Sequence, residues 1–195
     1  AHAVNPRAEV PSRITLAALS GVSASRALLP IVMICLGASV FAGMSNFQTV
    51  FADARGLNYA SFFLTYTITV VVLRLVLARL KGGKNPYFSI AMLQYIMCIS
   101  VAVFIFSGES LPLYLLVAVL FGIGYGVSYP MLVTMAAHDA REDLSAQTLQ
   151  LSALPYFVGL LGFPFVPGWM LVDVGTRPPL VIIQGRALQD ATWAL

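Results

Sequence analysis

The sequence predicts an all-α membrane protein, a polytopic bundle of transmembrane helices. Three observations carry that reading. Hydrophobic residues make up 59% of the 195 positions, and charged residues only 10%, where a soluble domain carries about 25% charged. The apolar residues fall in long uncharged blocks, each near the roughly 20 residues that a helix needs to cross a bilayer. Lys and Arg gather in alternate gaps between those blocks, as they do in multi-pass proteins.

The first block covers 27–52, between Arg26 and Asp53. The second runs over 58–78, with Arg74 near its end. The third covers 85–108 and the fourth 110–137. The fifth, 144–172, contains Pro155, Pro164 and Pro167, which should bend or break it. From Tyr87 to Phe106 the third block holds ten Leu, Ile, Phe or Val residues. At roughly −0.3 to −0.6 kcal/mol each, they favour insertion by about 3 to 6 kcal/mol. Gln94 and the serines offset part of that gain without reversing it.

Outside the blocks, residues 1–25 read as a cytoplasmic linker, with a short surface helix around Ile14 to Leu19. The chain opens on Ala1 without a signal-peptide pattern, so the expectation is a chain that starts inside a longer protein. Residues 174–195 hold an apolar run, Leu180 to Ile183, far too short to span, and read as an incomplete or aberrant sixth segment.

Arg7, Arg13 and Arg26 precede the first block, Arg74, Arg79, Lys81 and Lys84 surround the second gap, and Arg141 lies in the fourth. The other side holds Arg55 and Arg177. The positive-inside rule therefore puts the N-terminus in the cytoplasm, with the bacterial cytoplasmic (inner) membrane as the expected location. A net charge of +3, spread between apolar blocks, is no nucleic-acid footprint. Cys35 and Cys98 lie in different blocks and read as small core hydrophobes. No Asp, Glu or His falls inside a block, so no metal-ligand set and no catalytic constellation is expected, and no cofactor. An intramembrane enzyme is not the expected class.

Several motifs now line up. The first block ends Gly43-Met44-Ser45-Asn46-Phe47-Gln48. The loop after the second reads Arg79-Leu80-Lys81-Gly82-Gly83-Lys84. The fourth block carries Gly122-Ile123-Gly124-Tyr125-Gly126-Val127-Ser128-Tyr129-Pro130, and the fifth carries Gly159, Gly162 and Pro164. Over residues 26–172 this pattern resembles the C-terminal six-helix half of a major facilitator superfamily transporter. The fourth and fifth blocks look like the glycine-rich tenth and the eleventh helix of its drug- and sugar-efflux members. Setting the first arginine of the family's loop motif on Arg79 puts Arg74 at its leading glycine, Ala78 at its aspartate and Lys81 at its second glycine, a degenerate match. The resemblance implies a secondary transporter that alternates access around a midplane site between two halves. The first, second, fourth and fifth helices would line the cavity, and the third would lie outside them. It also implies three partners: the lipid bilayer, an N-terminal transmembrane half, and a small-molecule substrate.

Candidate cavity residues are Asn46, Gln48, Tyr66, Tyr125, Ser128, Tyr129, Gln150 and Tyr156. Each also has a plainer reading. Asn46 and Gln48 could be interhelical glue, the tyrosines could be packing, and Gln150 could be solvated near a helix end. Gly122, Gly126, Gly159 and Gly162 are expected at close helix contacts. Arg74 is expected to snorkel towards the cytoplasmic headgroups. Any proton-coupling carboxylate would belong to the other half. The rival expectation is a membrane-embedded binding or assembly subunit with no transport of its own. The cargo is expected to be lipophilic or sugar-like, since the candidate lining is apolar, aromatic and hydroxylated.

Overall fold

The computed structural model describes residues 16–77, 85–140, 145–163, 165 and 192. All of its elements are helices. A short α1 (Leu16–Ser23) leads into α2 (Leu28–Asp53), α3 (Tyr59–Leu77), α4 (Pro86–Phe106), α5 (Leu111–Asp139) and α6 (Ser145–Phe157). A π-helical turn, Val158–Gly162, extends α6. Four helices, α2 to α5, are long and apolar enough to cross a membrane, with mean hydropathies of 1.9 to 2.2. At about 1.5 Å per residue, α5 alone is about 43 Å long, more than the roughly 30 Å hydrocarbon core needs. The expected fifth span, 144–172, is described only to 163 and at 165. Pro164, Pro167, Arg79, Lys81, Lys84 and nearly all of 174–195 lie outside the described residues.

Local chemistry sets the helix starts. The Asn58 side chain accepts from the Ala60 amide at 2.9 Å ahead of α3. Asn85 caps α4 by accepting from the Phe88 amide, with Pro86 in the first turn, where a missing N–H does no harm. The short reversals on the other side of the bundle use Gly56 and Gly108, at φ 65° and 59°, a conformation open to glycine without strain.

The helices run alternately up and down. At one end Phe51 of α2 packs on Phe104 of α4, and Phe62 of α3 on Tyr114 of α5. At the other end the Tyr87 hydroxyl of α4 donates to the Asp139 carboxylate of α5. α5 is central and packs against α2, α3, α4 and α6, while α6 leans on α2. α4 lies outside, with α5 as its main neighbour. α3 is the most exposed span, and Phe62 is its one buried residue.

Missing side chains set how closely these helices approach. A Cβ on Gly124 would stand 2.7 Å from the Met97 backbone nitrogen of α4. A Cβ on Gly126 would stand 2.4 Å from Val70 of α3, and one on Gly122 3.1 Å from Thr69. The π-turn places Gly159 so close to α2 that a Cβ would be 2.2 Å from the Cys35 carbonyl oxygen. Gly162 departs from the expectation of a packing role. A Cβ there meets no described atom within 4 Å, because the turn faces its other side to α2.

These contacts differ in what a methyl group would meet. Gly124→Ala and Gly159→Ala push against backbone and should lower unfolding stability by about 1–3 kcal/mol. Gly162→Ala should stay within about 0.5 kcal/mol of the parent. Unfolding of the purified protein in mixed micelles by graded SDS checks all three.

Candidate functional site

Aromatic rings from four helices meet along one side of α5. Phe121, Tyr125 and Tyr129 stand at i, i+4 and i+8 and so share a face of that helix. Phe41 of α2 stacks on Tyr125 with centroids 4.7 Å apart and on Phe121 at 6.2 Å. Tyr66 of α3 approaches Phe41 at 6.1 Å and Phe121 at 5.8 Å. Tyr156 of α6 closes the row against Tyr129 at 5.2 Å. Such spacings favour offset and tilted ring contacts.

The row has depth. Phe121 and Tyr125 are buried, whereas Phe41, Tyr66, Tyr129 and Tyr156 are half-buried and form its open surface. On α2 the same open stripe continues through Ser45, Asn46 and Thr49. The surface therefore offers π faces with phenolic and small hydroxyls beside them. It suits stacking and hydrogen bonding to an amphipathic solute. Among the described residues no three His, Cys, Asp or Glu side chains gather into a metal site.

The remaining candidates differ in where they point. Asn46 is exposed, and its Nδ2 donates to the Ala42 carbonyl of its own helix at 2.7 Å. Gln48 is fully buried away from this surface, and its Oε1 accepts from the Tyr114 hydroxyl at 2.5 Å. It holds α2 to α5 and does not line an open face. Ser128 is 1% exposed and turns its hydroxyl to the Tyr125 carbonyl of its own helix, which withdraws it from the cavity list. Gln150 is exposed on α6, apart from the ring row.

Arg74 departs most from its expected place. It is exposed on α3, yet its guanidinium reaches back to a neighbouring helix. Nη2 donates to the Gly126 carbonyl, 3.4 Å away and near the middle of α5. A helical side chain leans towards its own N-terminus, which for Arg74 is the direction away from the expected cytoplasmic end.

Sequence reasoning passed over Phe41, Phe121 and Tyr114. Phe121 carried a usable signal, since it precedes Tyr125 by one helical turn. Phe41 and Tyr114 carried none, because the partners that define them, Tyr125 and Gln48, are 84 and 66 positions away. Compared with protein-family profiles, characterised proteins and solved structures, the chain finds no match.

The Gln48–Tyr114 pair can be tested alone. Tyr114→Phe strips the buried amide of its one bonded partner and should cost about 0.6 to 1.7 kcal/mol. Nε2 of Gln48 has no partner among the described residues, so Gln48→Leu added to Tyr114→Phe should recover part of that loss. A double-mutant cycle of SDS unfolding measures it, and strict additivity would argue against the pairing.

Proposed function

We propose that this chain is one half of a secondary active transporter for small organic molecules, with export the favoured direction. It would work by alternating access, in the manner of the C-terminal half of the major facilitator proteins it resembles. The observation that carries the reading is the two-sided surface. One side, built by α2, α3, α5 and α6, presents the ring row and the Ser45–Thr49 stripe. The α4 side presents Phe88, Met92, Ile99 and Phe106, all exposed and all apolar. Hydrocarbon tolerates the second surface. The first has the hydroxyls and amide that a solute pathway between two halves would use.

In this reading the bilayer covers the α4 side, and an N-terminal transmembrane half faces the ring row. The α1 end lies in the cytoplasm, so the Ala54–Asn58 reversal lies outside. Aromatic faces without a nearby carboxylate suit lipophilic or sugar-like cargo. The exposure of α3 also suits a membrane-embedded assembly subunit, which would bind a partner without moving a solute.

Flux separates the two. Inverted membrane vesicles carrying the chain with its complementary half should take up compounds from a panel of lipophilic dyes and glycosides. Tyr66→Ala or Tyr129→Ala should lower uptake at least tenfold at equal protein level. Membranes that bind the compounds without flux would favour the assembly subunit.

Orientation has its own check, in a chain lacking Cys35 and Cys98. A membrane-impermeant maleimide should label Ala54→Cys in intact cells and Ala140→Cys only after permeabilisation.

A further inference from the structure

Pro130 sits inside α5. Proline has no amide hydrogen, so the carbonyl four residues earlier loses its helical donor. That carbonyl belongs to Gly126, and it is the group to which Arg74 of α3 donates. Two features that looked unrelated in the sequence, a proline in one span and an arginine in another, thus meet at one oxygen.

We propose that Arg74 is a latch between α3 and α5, supplying from a neighbouring helix the hydrogen bond that Pro130 removes. Three physical points support it. An unsatisfied carbonyl in a bilayer-spanning helix is costly, since no water replaces the missing donor. A charged donor on a carbonyl is stronger than a neutral one in such surroundings. The backbone is also within reach, because Gly126 has no side chain and Val70 packs directly over it. The free carbonyl and the glycine beneath it together make a socket for the guanidinium.

The socket also gives Arg74 a reason to be on the most exposed span. α3 has one buried residue, and it meets α5 at Gly122 and Gly126 and through the Phe62–Tyr114 and Tyr66–Phe121 ring contacts. The rings hold the Phe62 end of α3, and a charged hydrogen bond to a fixed oxygen sets the register at the Arg74 end. The latch stands on this geometry alone and does not depend on the transport reading.

A double-mutant cycle tests it. In Pro130→Ala the residue-130 amide bonds the Gly126 carbonyl within α5, so Arg74 loses its task there. Arg74→Leu should lower the thermal midpoint in nanodiscs in the parent. The same substitution in the Pro130→Ala background should lower it by less than half as much. Equal losses in both backgrounds would overturn the proposal, as would a parent indifferent to Arg74→Leu. Should Arg74→Leu fail to fold, the yield of monodisperse protein is read instead: Pro130→Ala should restore it, and no restoration overturns the latch.

A second measurement reads the oxygen itself. Labelling glycine with ¹³C-carbonyl and valine with ¹⁵N selects two peptide groups, Gly21–Val22 and Gly126–Val127. The Gly126 carbonyl resonance should move upfield in Arg74→Leu and return in the double variant. A resonance unmoved by Arg74→Leu would count decisively against a bond between them.

Discussion

α5 sets the distances in this bundle, and it does so through side chains it lacks. A spanning helix gains little from burying apolar surface against another, because lipid tails are as apolar as leucine. What remains is close packing and a few polar links. Gly124 lets α4 approach until its backbone at Met97 is the nearest surface. Gly122 and Gly126 do the same for α3. Three neighbours then add a polar tie to α5: Gln48 from α2, Arg74 from α3, and Ser100 from α4 at 3.0 Å to the Val117 carbonyl.

The ring row follows from that arrangement. Glycines at 122, 124 and 126 bring α3 and α4 close, while Phe121, Tyr125 and Tyr129 occupy the face turned to α2 and α6. One helix therefore alternates small residues for contact with large rings for a surface. The π-turn repeats the device on α6, where Gly159 meets the α2 backbone and Tyr156 reaches the row.

Much of the scaffold was legible because bilayer insertion is a local property. Block length and absence of charge marked the four spans, and the structure ends them at Asn58, Asn85, Gly56 and Gly108. The aromatic candidates on α5 were legible for the same reason, since helical spacing puts them on one face. What escaped depends on partners far along the chain. Gln48 looked like a cavity amide until Tyr114, 66 positions on, claimed it. Arg74 looked like a snorkelling cation because nothing near it in sequence needs a donor. The need is created by Pro130, and its oxygen lies 52 positions away. Gly162 carried the same residue type as Gly159, but the π-turn points only one of them at α2.

The central claim is that the α2–α3–α5–α6 surface faces a polar pathway while α4 faces lipid. Nitroxide accessibility in bilayers reads this directly. In a chain lacking Cys35 and Cys98, labels at Ser45 and Asn46 would be compared with labels at Met92 and Ile99. With the complementary half present, the first pair should collide with a water-soluble nickel chelate and the second with oxygen. Ser45 and Asn46 labels as oxygen-rich and chelate-poor as those at Met92 and Ile99 would contradict the account.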